Sequence, residues 1–215
     1  AGCERPVEIT WDASSLHRVT GGVYARVKVL SDGRLALVYR AGPAVCMRTS
    51  VDGGDSWSEA AEIARDQRYN YTNSELLEMH GGRLLYLWNA RPRTVGECEY
   101  KIMGAVSDDG GATWRVRDIF HAGCRPSEGC WEPVALQFED GHIELYFADE
   151  SPYDTTSEQQ ITMMRSDDDA ETWGEPQCVS FRQGARDGMP VPIYLPHRDE
   201  VVVAIEDNGL EGRFK

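Results

Sequence analysis

The sequence holds six cysteines but no Cys-x-x-Cys pair, so the thiolate spacing of a structural zinc site is absent. Basic residues are in the minority, 22 against 36 acidic, for a net charge of −14. That excludes a protein that tracks a nucleic-acid backbone, which needs a basic surface. It also works against long-range steering of an anionic substrate, although a local arginine cluster can still bind one. Apolar runs such as Val201 to Ile205 end after a few residues, far short of the ~18 needed for a membrane helix. No segment keeps helical periodicity between caps. There is no Gly-x-Gly-x-x-Gly behind a strand, no phosphate-binding loop, no His-Glu-x-x-His and no Gly-x-Ser-x-Gly elbow. The histidines (His17, His80, His121, His142 and His197) are dispersed. No cofactor and no metal is expected.

What is present is ordinary in bulk and unusual in order. The 215 residues are 41% hydrophobic and 27% charged, a composition that suits a folded chain with a real core. Cys124 and Cys130 bracket a five-residue loop and suit either a disulfide in an oxidising compartment or two buried thiols.

Two repeats interleave. The first is a turn motif, Ser-x-Asp-x-Gly-x-(Ser/Thr)-Trp, at residues 50–57, 107–114 and 166–173, with Ala170 in the glycine place of the third copy. Its tryptophans, Trp57, Trp114 and Trp173, are 57 and 59 residues apart. The aspartate can accept backbone N–H groups, the glycine supplies a left-handed conformation, and the tryptophan packs between sheets. These aspartates are therefore read as structural, and the run Asp167-Asp168-Asp169 as a solvated turn. The second repeat is a hairpin: two β-rich runs around Asp-Gly or Gly-Gly, near 24–40, 73–89, 132–148 and, with a longer turn, 188–206. Hairpin, link, third strand, box turn and fourth strand make a four-stranded unit, which is a propeller blade. The expected fold is thus all-β, one partial β-propeller domain over 1–215.

The boxes resemble the Asp-box, or bacterial neuraminidase repeat, of the sialidase-like six-bladed propellers. The resemblance runs from about Val19 to Asn208. It implies that about three and a half blades are present, because no fourth box follows the fourth hairpin and six blades of this spacing need roughly 350 residues. A fragment, or a ring completed by another chain, is the expectation.

Hairpin arithmetic says which residues meet at one mouth of the ring. Eight places before the first turn residue stand Tyr24, Asn73 and Glu132, and six before it Arg26, Glu75 and Val134. At the matching ends of the second strands stand Arg40, Asn89, Ala148 and Glu206. Glu132 and Glu206, on adjacent blades, could face each other, and paired carboxylates are the usual machinery of glycoside hydrolysis. The competing reading has each glutamate bonding a strand end or an arginine such as Arg186.

Trp131-Glu-Pro-Val, Ala148-Asp-Glu, Arg186-Asp-Gly-Met-Pro-Val and the Glu206 strand end are similar to the exo-α-1,5-L-arabinanase branch and its uncharacterised bacterial relatives. That resemblance implies Glu132 and Glu206 as nucleophile and acid/base of a retaining mechanism, in an order left open. It implies Arg26, Asn73, Arg186 and Asp187 on sugar hydroxyls, with Glu150 as a third carboxylate and Trp131 either stacked on a sugar or part of the core. A neutral arabinan-type glycan, cut from its end, is the expected substrate. An exo-sialidase is the alternative, although Tyr24-Ala-Arg-Val lacks the Ile-Pro of the sialidase signature that follows its arginine. A propeller that binds carbohydrate or protein without catalysis is the other. Ala1-Gly2-Cys3 resembles the end of a lipoprotein signal around its lipidated cysteine, so a secreted, periplasmic or cell-surface location is expected.

Overall fold

A computed structural model describes residues 9–153 and 155–209. Cys3 lies outside them. The described residues form three four-stranded antiparallel sheets and one two-stranded sheet. The first sheet is β1 (Val23–Val29), β2 (Leu35–Ala41), β3 (Ala44–Ser50) and β4 (Ala61–Arg65), paired in that order. The second is β5 (Tyr69–Glu78), β6 (Leu84–Pro92), β7 (Lys101–Ser107) and β8 (Arg115–His121). The third is β9 (Cys130–Gln137), β10 (Ile143–Asp149), β11 (Gln160–Ser166) and β12 (Gln177–Ser180). The last two strands, β13 (Asp187–Leu195) and β14 (Glu200–Asp207), pair with each other. Strands β1, β5, β9 and β13 stand side by side as the first strands of successive sheets.

The core lies between sheets. Val38 and Met47 of the first sheet pack on Leu84, Tyr86 and Trp88 of the second. Leu85, Leu87 and Ile102 of the second pack on Leu145 and Phe147 of the third. Val201, Val203 and Ile205 close on Tyr146 and Ile161. Alternation along β6 sends Leu84, Tyr86 and Trp88 to one neighbour and Leu85 and Leu87 to the other, which is why the run from Leu84 to Trp88 is apolar without a break.

The box turns repeat atom for atom. Asp52, Asp109 and Asp168 each accept the backbone N–H of the residue four places on, at 2.9, 2.8 and 2.8 Å, and its hydroxyl as well. Ser50, Ser107 and Ser166 each donate to the same carboxylate at 2.7–2.9 Å. The indoles of Trp57 and Trp114 donate to the carbonyls of Gly54 and Gly111, both at 3.0 Å. The third copy differs: Asp169 and Ala170 hold φ of 58° and 64°, and the buried Trp173 Nε1 has no partner among the described residues. Backbone that glycine adopts freely is strained here. Cys124 and Cys130 are both free thiols, so the disulfide alternative fails; Cys130 is fully buried among apolar neighbours.

Each box aspartate accepts three hydrogen bonds from its own turn, and all three carboxyls are depressed. The Thr113 hydroxyl, followed by the Thr113 N–H, holds Asp109 at about 2. The Ser56 and Thr172 hydroxyls pull Asp52 and Asp168 down in the same way. A depressed carboxyl stabilises the fold above its unfolded value, near ~3.9, and that contribution is lost as pH falls toward ~2. Replacing all three aspartates with asparagine is expected to flatten the fall of the unfolding midpoint between about pH 4 and pH 2. Parallel curves for parent and variant would contradict this reading.

Candidate active site

The first strand of each sheet carries the same defect. Strand pairing slips between Val23 and Arg26, Thr72 and Glu75, Trp131 and Val134, and Gly188 and Val191. Inside each slip sits one non-glycine residue at positive φ: Tyr24 at 54°, Asn73 at 54°, Glu132 at 59° and Met189 at 47°. Such a conformation costs an L-residue about 1–2 kcal/mol, more awkwardly for a bulky methionine. A bulge re-aims the side chain beside it, and four in register bring four chosen residues to the same end of the sheets.

Between these strands runs a cleft of about 340 Å³ lined by Arg26, Asn73, Glu75, Glu132, Met189 and the prolines that flank them. Five residues selected by hairpin arithmetic, Arg26, Asn73, Glu75, Glu132 and Val134, therefore line one cleft. Arg26 is half-exposed and lies 3.8 Å from Glu75, which Lys28 also approaches at 2.6 Å. Asn73 makes no side-chain hydrogen bond among the described residues, so its amide is available to a ligand.

Glu132 and Glu206 converge on Gly188. A Cβ at Gly188 would stand 3.6 Å from Oε2 of Glu132 and 3.6 Å from Oε2 of Glu206. The two oxygens are therefore no farther apart than twice that distance. Neither glutamate pairs with a cation among the described residues, whereas Glu75, Asp118, Glu171, Asp187 and Glu150 do. The Glu132 carboxyl sits above the usual carboxylate range: burial raises it, the Met189 N–H donated at 2.6 Å opposes this, and the Glu206 charge raises it further.

The remaining sequence candidates form the layer behind. Glu150 is buried and accepts from Arg186 Nη2 at 2.5 Å and from the Trp131 indole at 2.8 Å. Arg186 thus belongs to Glu150 and to neither glutamate of the convergent pair. Trp131 is held edge-on by Tyr100 at 5.3 Å, and the Arg91 guanidinium lies 5.7 Å from its ring centre. Asp187 is fully buried and ion-paired with Arg182, which also reaches Asp207 at 2.8 Å. Asp187, Glu150, Arg186, Trp131 and Glu206 are not among the residues that line the cleft; Glu206 meets Glu132 at its edge, across Gly188. Met189, whose N–H holds Glu132, does line it, and Gln159 lies behind Gly188, its amide nitrogen 3.0 Å from where a Gly188 Cβ would stand. Gln159 is buried, donates to the Asp187 carbonyl at 2.6 Å and accepts from Arg186 at 3.2 Å.

Gly188 is a direct probe of this geometry. Its φ lies outside the left-handed range, and its tightest neighbour is the end of the Gln159 side chain. Gly188→Ala sets a methyl in van der Waals contact with both carboxylates, and is expected to lower turnover by filling the space between them while leaving the unfolding midpoint close to the parent. Unchanged turnover would show that the reaction does not occur between these carboxylates.

No curated protein matches the chain. Solved structures do. The α-L-arabinofuranosidase of Fusarium graminearum is 24% identical over 86% of this chain and 56% of its own, with a TM-score of 0.68. The α-L-arabinanase of Penicillium chrysogenum, solved with arabinobiose, is also 24% identical, over 86% of this chain and 57% of its own, with a TM-score of 0.68. The endo-arabinase of Bacteroides thetaiotaomicron is 14% identical over 92% of this chain and 76% of its own, with a TM-score of 0.64. The chain thus spans just over half the length of the first two. At these identities the likeness shows the fold alone, all-β with four-stranded antiparallel sheets consistent with propeller blades. The BNR repeat-like domain family matches residues 82–202, more than half of the sequence, and the chain belongs to that family.

Proposed function

We propose that this chain carries the catalytic carboxylates of a glycoside hydrolase that cuts an arabinan-type glycan from its end with retention of configuration. The observation that carries the reading is the convergence of Glu132 and Glu206, neither of them cation-paired, on one point at Gly188. Retaining hydrolases hold their carboxyl groups about 5–5.5 Å apart, within the limit set by this geometry. Two of the similar structures are proteins of arabinan chemistry solved with arabinobiose, which supports the substrate class.

In the reaction, one protonated glutamate gives its proton to the glycosidic oxygen as the bond to the anomeric carbon breaks, and the other carboxylate forms a bond to that carbon. Water then attacks the same carbon, its proton passes to the first glutamate, and the second leaves as carboxylate. The raised proton affinity of Glu132 suits a site where one of two neighbouring carboxyls must stay protonated near neutrality. Arg26 and Asn73 line the sugar cleft, and Glu150, Arg186 and Trp131 fix the strand that presents Glu132. In this reading β1, β5, β9 and β13 line part of the channel of a six-bladed ring, and the protein works outside the cytoplasm.

The test is to incubate the full-length protein with linear arabinan and with a sialylated oligosaccharide and weigh the products by mass spectrometry. Short arabinose products are expected. Free sialic acid would replace the reading with a sialidase, and no product from either would leave a binding propeller as the better account.

A further inference from the structure

Beside the carboxylate cleft lies a second cavity, of about 380 Å³, whose lining includes Arg40, Arg91 and Arg93 and no acidic residue. In a chain where acidic residues outnumber basic ones 36 to 22, this is unexpected. Arginines elsewhere are mostly matched with carboxylates, as in Arg83 with Asp108, Arg115 with Glu171 and Arg182 with Asp187. Arg40, Arg91 and Arg93 have no carboxylate partner among the described residues. Arg40 Nε is buried there without any hydrogen-bond partner, and a buried, unpaired guanidinium nitrogen is costly unless something else satisfies it.

The cavity and the cleft draw on the same strands. Tyr24 and Thr72 line the arginine cavity, while Arg26 and Asn73, next along the same two strands, line the cleft. Arg91 lies over the ring of Trp131, the residue before Glu132. Asn70, Thr72 and Tyr100 add polar groups to the wall. Guanidinium groups match carboxylate and sulfate oxygens in a planar fork, and the hydroxyl and amide neighbours suit a sugar.

We propose that this cavity binds an anionic substituent of the glycan, a uronate carboxylate or a sulfate ester, while the neighbouring neutral sugar is cut at Glu132 and Glu206. As a subsite of the substrate, the cavity rests on the hydrolase reading; its anion binding does not. The net charge repels a free anion at long range, so binding is local and follows recognition of the glycan beside it.

The experiment is an NMR titration of the full-length Glu132→Gln protein with galacturonic acid, galactose 6-sulfate and galactose. That background removes turnover and leaves the cavity intact. At least one anionic sugar is expected to bind tenfold or more tightly than galactose, and its identity distinguishes carboxylate from sulfate. Adding Arg40→Gln, or the exposed Arg93→Gln, is expected to weaken that binding about tenfold, the worth of a charge-assisted hydrogen bond. Arg93→Gln keeps the test sound should Arg40→Gln unfold. Anionic sugars that bind no better than galactose, or binding unmoved by both substitutions, would overturn the proposal. Anion binding without arabinan cleavage would sink the hydrolase reading alone; cleavage without anion binding would sink the anionic subsite alone.

Discussion

Glu132→Gln is expected to abolish turnover of arabinan while the protein stays folded. The amide keeps the shape and can still accept the Met189 N–H, but it neither gives a proton nor attacks carbon. A positioned proton-transfer group contributes roughly 10²–10⁴-fold to rate, so a fall of at least that size in kcat is expected, with KM little changed. Glu206→Gln has the same effect through the other half of the pair. Stability moves the opposite way to activity. In the unfolded chain Glu132 has an ordinary carboxylate value of about 4.3, and in the fold that value is raised, chiefly by burial. Folded protein then holds the proton more tightly, so stability falls as pH rises from the unfolded value through the raised one. At neutral pH the ionised side chain works against folding, and the glutamine variant should melt at or above the parent temperature. Below the unfolded value the two should converge. A variant that melts well below the parent at neutral pH would show Glu132 to be a structural residue.

Phe147→Ala carries the largest expected loss of stability. Phe147 is fully buried on β10, and its ring centre lies 4.8 Å from that of Phe120 on the neighbouring sheet. It belongs to the cluster that locks the second sheet to the third. Removing a buried phenylalanine costs about 3–5 kcal/mol, from lost transfer energy and the cavity left behind. At about 2–4 °C per kcal/mol for a chain of this size, thermal unfolding should report a drop on the order of 10 °C. A change below about 1 kcal/mol by denaturant titration would mean that the sheets do not pack as described.

What was legible in the sequence was local. The box turns depend on groups within eight residues of one another, so Ser50, Asp52, Ser56 and Trp57 announced their own hydrogen bonds. The hairpins were readable for the same reason: Asp32 and Asp140 each cap a turn through their own second neighbour, at 3.0 and 3.2 Å. Counting back from those turns reached Tyr24, Asn73 and Glu132, which the structure joins by a shared bulge and positive φ. Met189 holds the same place on β13, but the longer turn before Asp199 breaks the count. Gln159 was beyond reach. It stands outside the hairpins and is carried to the site by its bridge to Arg186, a contact with no local signature. The motif that named Asp187 says nothing about side-chain direction, and on β13 it pairs with Arg182.

The central claim is that Glu132 and Glu206 are the two working carboxylates of one retaining site. Chemical rescue tests it most directly. Glu132→Ala and Glu206→Ala would each be given an activated aryl α-L-arabinofuranoside with sodium azide, and the anomeric configuration of any arabinosyl azide read by NMR. The account predicts azide product from both, of retained configuration where the acid/base is removed and of inverted configuration where the nucleophile is removed. Turnover in both variants at the parent rate without azide, or a failure of azide to restore product in either, would contradict it.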